Sequence, residues 1–172
     1  NGFEKYEFIH NAITEVDINK IELNIKLFNK QINYPFLISC MTGGTNKATD
    51  INKELAICAE TLRVPVGVGS QRQALENDKF HSSYKTIRKN APTVPIFGNI
   101  GAAEISKMEN FDGIKLLIDL IEADVFVIHL NSTQELFQKE GNTNFVGLLK
   151  NLEKLTKFTS IPIFVKEVGN GI

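Results

Sequence analysis

Tryptophan is absent from this sequence, and cysteine and methionine each occur only twice. Two cysteines, Cys40 and Cys58, without metal-ligand spacing, exclude a disulfide framework and a thiolate metal site. They read as reduced thiols of a cytosolic protein, with small apolar packing as their role, for Cys58 above all. Charge of one sign is lacking too: the net charge is -1. No basic field therefore points to nucleic acid or an anionic membrane. No apolar run approaches the ~20 residues that span a bilayer. No charged-then-apolar leader opens the chain. It starts at Asn1, and Val168–Ile172 follows directly on a predicted strand, so both ends read as cut.

What is present is a repeat. Short apolar strands are predicted near Phe36, Val64, Val94, Val125 and Ile161, reading PFLIS, VPVGVG, VPIFGNI, VFVIHL and IPIFVKEV. Wholly apolar strands are buried on both faces, as in a parallel sheet. The first four are each followed by helical spacing. In 46–62 the apolar face is Ala48, Ile51, Leu55, Cys58, Ala59 and Leu62. In 111–122 it is Ile114, Leu117, Ile118 and Ile121, and in 144–157 Phe145, Leu148, Leu149, Leu152 and Leu155. Segment 81–90, with Tyr84 and Ile87, is weakest. Each unit takes about 30 residues, the size of a βα repeat. Pro35, Pro65, Pro95 and Pro162 sit at strand entrances.

One stretch differs. Ile21–Leu27 alternates apolar and polar strictly, and 28–33 can turn it back as a hairpin that covers one end of a larger body. The predicted fold is α/β, a (β/α)8 barrel of which about the first five strands are present, with an N-terminal hairpin. An open doubly wound sheet competes, but its GxGxxG turn is missing after the first strand. Polar strand ends recur along the chain, which favours the barrel. The chain reads as one domain, 1–172: an extension with hairpin over 1–34, then βα units over 35–172.

Ligands in such sheets sit at the carboxyl ends of strands. The first predicted strand ends Ser39-Cys40-Met41-Thr42-Gly43-Gly44-Thr45, glycines before a helix that could approach an anion. An ordinary turn with Thr45 or Asn46 as N-cap is equally open. The second ends Gly67-Val68-Gly69-Ser70-Gln71-Arg72. Its alternate glycines leave one strand face bare, room for something flat, and Arg72 suits a phosphate or a nearby carboxylate. The third ends with Asn99, a donor and acceptor for a heterocycle edge or an Asx turn. The fourth runs from Val125 into His129, Asn131, Ser132, Thr133, Gln134 and Glu135. His129 is a ligand group or a satisfied half-buried histidine. Gln134 and Glu135 are expected in a loop. Glu135 with Glu140 as a glycosidase-like pair lacks support; a single carboxylate beside phosphates suits Mg2+. The fifth contains Lys166, costly in an apolar strand unless it meets an anion or a flavin ring.

MTGGT, VGSQRQAL, FGNIGA, IHLNSTQE with QKEG behind it, and VKEVGNGI occur in this order, after HNAITEVD. Together they resemble type 2 isopentenyl-diphosphate isomerase, the FMN-dependent form, over nearly the whole chain. The resemblance implies a TIM barrel that interconverts isopentenyl and dimethylallyl diphosphate with reduced FMN, Mg2+ and NADPH as reductant. It implies that Cys40, Met41, Thr42, Ser70, Asn99 and Lys166 line FMN. Ser70, Gln71 and Arg72 would hold the diphosphate, helped by His129 and Asn131. Gln134 would be catalytic and contact the substrate, and Glu135 would bind Mg2+. A homo-oligomer is expected, with no nucleic acid or membrane partner. The sequence departs from the family at Ser132-Thr133, usually Pro-Leu, and at Asn142, usually Asp. The family's upstream Arg-Lys pair and its later strands with the FMN phosphate site fall outside Asn1–Ile172. Competing readings are another FMN barrel of the 2-hydroxy-acid oxidase type and a non-catalytic flavin- or phosphate-binding fragment.

Overall fold

The computed structural model describes residues 3–43, 46–139 and 141–169. The chain opens with short 3-10 turns and an antiparallel hairpin, β1 Ile25–Leu27 and β2 Lys30–Ile32. The strand expected over 21–27 is thus shorter, because β2 offers partners only to Ile25, Lys26 and Leu27. Asn33 leaves the ladder to bond the Arg63 carbonyl. Both turn residues, Phe28 and Asn29, have positive φ, 48° and 63°. Left-handed geometry at both central positions matches the twist of a two-residue hairpin. It is costly for a phenylalanine.

The body has α1 Asn46–Leu62, β3 Val66–Gly67, α2 Arg72–Glu76, α3 His81–Asn90, β4 Ile96–Gly101, α4 Ala102–Lys107, α5 Asp112–Ile121, β5 Val125–His129, α6 Ser132–Phe137, α7 Leu148–Phe158 and β6 Ile163–Lys166. The four body strands form one parallel sheet in the order β3-β4-β5-β6. Each strand pairs in parallel with the next one in sequence, the usual arrangement of consecutive βα units. The first predicted strand, at PFLIS, shrinks to a single bridge between Ile38 and Val66. Beside it, Phe36 and Leu37 stay exposed and no ladder forms on their far side. Among the described residues the sheet is open.

Its two faces differ. Ile96, Ile100, Phe126 and Ile128 point toward the helices and join Ile105, Ile114, Leu117, Ile121 and Leu155 in the main core. Phe97, Val125 and Val127 point the other way and pack with Cys40 and Phe28. Phe28 meets Phe97 and Phe164 edge-on, with ring centroids 6.0 and 5.8 Å apart. Pairs of this geometry add about 0.5–1.5 kcal/mol each beyond their buried area. The hairpin therefore caps the inner face at the end where the strands begin.

The predicted helices exist, with corrections. In α1 the buried residues are Ala48, Asn52, Ala56 and Ala59. Ile51, Leu62 and Cys58 are exposed, against expectation. Small side chains let α1 lie close to α3, and Asn52 goes inside because its amide donates to the Ser83 carbonyl. The last predicted helix starts at Leu148, since Gly147 has φ 87° and Asn142 and Asn144 turn the preceding chain through side-chain bonds to Asn144 and Val146 N–H. Phe145 lies before it, and Leu149 faces outward. The weakest prediction, 81–90, proves a helix whose Tyr84 and Ile87 are fully buried. Gly44, Thr45 and Glu140 lie outside the described residues.

Candidate functional site

Strand register builds the site. Gly101 pairs with His129, and His129 with Lys166, so all three stand in one row at the strands' carboxyl ends. One layer below, Asn99 pairs with Val127 and Val127 with Phe164. The next layer is Phe97 beside Val125. A polar rim thus rests on an apolar floor.

Over this floor opens a cleft of about 420 Å3. Of the predicted site residues, Cys40, Met41, Ser70, Arg72, Asn99, His129, Asn131, Gln134, Glu135 and Lys166 line it. They come from the ends of the four body strands, the turns after them and the segment after the Ile38 bridge, and they converge on one cleft. Two residues do not. Thr42 turns its hydroxyl to the Asn52 side chain. Gln71 is fully buried, and its amide is spent on the Asn99 N–H and the Leu117 carbonyl. Its side chain is therefore removed from the diphosphate-binding set.

The bare strand face at Gly67 and Gly69 is a second correction. No flat ligand fits there, because a Cβ at Gly67 would overlap Cys40 Sγ and one at Gly69 the Thr42 backbone. These glycines bring the 40–43 segment close, and Gly69 N–H bonds the Thr42 carbonyl at 2.6 Å. A third concerns Gln134 and Glu135, which stand on the short helix α6 instead of a loop. Gln138, in the polar run after the fourth strand and one turn beyond Gln134, also lines the cleft; Glu104 on α4 lines it too and escaped the sequence reading.

Three buried polar atoms in this cleft lack partners: Asn99 Oδ1, His129 Nε2 and Asn131 Oδ1. Buried polar atoms are nearly always hydrogen-bonded, so orphans gathered at one cleft point to a ligand. Asn99 lies within the strand, not in an Asx turn, and is 2% exposed. His129 is not the satisfied histidine of the alternative reading. Burial, then the positive Lys166, hold its imidazole below the ordinary value, against the opposing pull of Glu167 and Glu135. Burial pushes the Cys40 thiol up to about 11, and the attraction of Lys166 offsets this only in part.

Glu135 is 7% exposed. Its two oxygens accept from Asn131 Nδ2 and from the Asn142 N–H, each at 2.6 Å. Asn142 in turn donates to the Ala103 carbonyl at 3.0 Å. Gly141 packs so tightly on the Glu135 carbonyl that any Cβ would collide with it. Arg72 reaches the cleft while its Nε lies 3.4 Å from Glu76 Oε1, one turn along α2. The surface-arginine reading and the cleft reading thus hold together.

No protein-family model matches the chain. Over 171 residues it is 47% identical to "Isopentenyl-diphosphate delta-isomerase" of Chlorobium phaeobacteroides, covering 99% of this chain and 47% of that protein. Proteins of the same name from Chlorobium limicola and Cronobacter sakazakii are 46% and 40% identical, again over 99% of this chain, with 48% and 49% of their own lengths covered. In structure, an A198G:L230A flavocytochrome b2 with sulfite bound superposes with TM-score 0.65 at 14% identity, over 98% of this chain and 44% of that one. A lactate oxidase of Pediococcus acidilactici gives TM-score 0.51 at 13% identity, over 90% and 47%. The chain spans about half the length of the curated relatives it matches. Along nearly all of its residues, then, this chain is homologous to one half of proteins named isopentenyl-diphosphate delta-isomerase.

Proposed function

We propose that this chain takes part in interconverting isopentenyl and dimethylallyl diphosphate, as part of a type 2, FMN-dependent isomerase built on a TIM barrel. The observation that carries the reading is the cleft itself: the ends of four strands and the segment after Ile38 bring most residues of the resemblance to one place, where three buried polar atoms await partners.

The residues fit both groups that the reading implies. For FMN, the Asn99 acceptor and the Lys166 ammonium face one cleft wall, and Gly101 keeps the rim free of a side chain. Bound in its reduced form, FMN would supply an electron-rich ring for the substrate alkene, with NADPH as the reductant the reading implies. For Mg2+, Glu135 offers one buried carboxylate held at a fixed angle, with the Asn131 carbonyl oxygen beside it. No cluster of three His, Cys, Asp or Glu ligands exists among the described residues. A cation here takes its remaining ligands from phosphate and water, the usual habit of Mg2+.

The chain's own groups then have separate tasks. Arg72 and Ser70 meet the diphosphate at one side, and neutral His129 and Asn131 meet it at the other. Fixing that tail places the alkene, which lowers the entropic part of the barrier. Gln134 on α6 stands at the rim to orient the reacting carbons. Cys40, kept as a protonated thiol, contributes shape and no charge.

Flavocytochrome b2 and the lactate oxidase share the fold, which keeps the oxidase reading in view. Identity separates the two: 47% to the isomerase against 14% to the flavocytochrome.

The test is an anaerobic assay with FMN, NADPH and Mg2+, following isopentenyl to dimethylallyl diphosphate. It is run on the 172-residue chain and on the chain continued by the remaining half of a Chlorobium relative. Turnover that requires reduced flavin supports the proposal. Flavin reduction by lactate, with no isomerisation, transfers the assignment to the oxidase class.

A further inference from the structure

The turn from Ser70 to Arg72 faces the cleft, yet its middle residue points inward. Gln71 Oε1 accepts the Asn99 N–H at 3.0 Å, and Gln71 N–H donates to the Asn99 carbonyl at 2.8 Å. Gln71 therefore grips Asn99 at both backbone polar atoms. Its remaining amide nitrogen donates to the Leu117 carbonyl on α5 at 3.1 Å, which ties this grip to the outer helix layer.

Strand geometry explains why a side chain is used. β3 ends at Gly67, and Val68 makes one more bond, to the Phe97 carbonyl at 3.0 Å. The main chain then swings toward the cleft. No backbone carbonyl from this edge remains for Asn99 N–H, and the Gln71 side chain supplies the missing acceptor. Gly98 makes room for it: a Cβ there would lie 2.9 Å from Gln71 Oε1 and 2.6 Å from the Phe126 ring. The turn is stapled a second time by Tyr84, whose hydroxyl donates to the Ser70 carbonyl at 2.6 Å.

Asn99 is the cleft residue this frame controls. It is 2% exposed, and its Oδ1 has no partner in the protein. An acceptor buried this deeply calls for an N–H or O–H donor on a ligand. Its strength depends on direction, because hydrogen bonds weaken steeply off-axis.

We propose that Gln71 is a positioning residue: it fixes the Asn99 peptide so that Asn99 Oδ1 meets a ring N–H of a heterocycle bound in the cleft. The identity of that heterocycle rests on the FMN reading above.

Two variants separate hydrogen bonding from bulk. Gln71→Glu, held as the neutral acid by its burial, keeps an oxygen for Asn99 N–H and an O–H for the Leu117 carbonyl; Gln71→Leu keeps volume and loses both. Amide exchange by NMR on the ligand-free chain reads the grip directly. In Gln71→Leu, Asn99 N–H should exchange at least about 10-fold faster, with Val127 N–H on β5 unchanged, and Gln71→Glu should restore protection. FMN titration reads the consequence. Gln71→Leu should weaken FMN about 10-fold and shift its visible band, Gln71→Glu should recover both, and Gln71→Leu should cost nothing further once Asn99 is Ala. Unchanged Asn99 exchange in Gln71→Leu overturns the proposal. So does an equal loss of FMN affinity with and without the Asn99 side chain, which marks a general structural role. The FMN titration is run on the chain continued by the rest of a Chlorobium relative, as above; a continued wild-type chain that takes up no FMN sinks the flavin reading, and exchange at Asn99 then decides the Gln71 link by itself.

Discussion

Lys30 Nζ stands 2.8 Å from Asp124 Oδ2, across 94 residues of sequence. The same oxygen accepts from Arg88 Nη2 and from the Ile96 N–H, each at 2.8 Å. One carboxylate thus joins the hairpin, α3, β4 and the start of β5. Burial alone would raise its pKa, but the bonds from Lys30, Ile96 and Arg88 win and hold it below the usual carboxylate value. Its contribution to stability is complete above about pH 4 and is lost as pH falls through its folded value. Asp124→Asn should lower stability by about 2–3 kcal/mol, since it strands two partly buried cations. Urea melts at pH 7 and pH 3 check this: the gap between variant and wild type should narrow at the lower pH.

The two thiols should react at very different rates. Cys58 is exposed on α1, while Cys40 is buried with its pKa near 11. The thiolate is the reactive form. A disulfide reagent at pH 8 should label one thiol quickly and the second only on unfolding. Two equally fast thiols would contradict the packing of Cys40 against Gly67.

His129 should titrate below the ~6.5 of an unperturbed imidazole. Above that value folded and unfolded chains both carry it neutral. As pH falls, the unfolded chain takes the proton first, so stability declines until the folded midpoint is passed. An NMR titration of the imidazole gives the midpoint directly. In Lys166→Met the midpoint should rise, because a repelling charge is removed.

Glu135→Gln should weaken Mg2+ dependence by roughly 10-fold or more. The amide presents only one acceptor oxygen, so either Asn131 Nδ2 or the Asn142 N–H loses its partner, at about 1 kcal/mol. A Mg2+ titration of activity, with a thermal melt beside it, separates the two effects. An unchanged Mg2+ curve would remove Glu135 from the proposed cation site.

Among the described residues β6 pairs only with β5, and Phe164, Val165 and Val168 on or beside it are 44%, 40% and 69% exposed. Apolar edges of this kind recruit other strands. The chain should self-associate as its concentration rises, and Val165→Lys should reduce this. Sedimentation showing a monomer throughout would refute the expectation.

Much of the architecture is legible in the residues. The helices at 81–90 and 112–121 follow from apolar spacing, and the strand ends that gather in the cleft were marked by polar residues after apolar runs. Other features were hidden for physical reasons. The buried face of α1 is made of alanines and Asn52, so a hydrophobicity pattern finds Ala48, Leu55 and Ala59 but adds the exposed Ile51, Cys58 and Leu62 and misses Asn52. The short helices α2, α4 and α6 carry too few residues for a period to show. Gln71 sits among residues that do face the cleft, and only the geometry of Gly98 and Asn99 reveals that it turns away.

The apolar floor has a consequence for the order of assembly. Phe28 is far in sequence from one of its ring partners, Phe164. Contacts so distant in sequence form slowly, because a long loop must close first. The helices and the β4-β5 pair can be in place while the floor of the cleft is still missing. Ligand-binding competence should therefore lag behind secondary structure during refolding, appearing only when the hairpin and β6 meet.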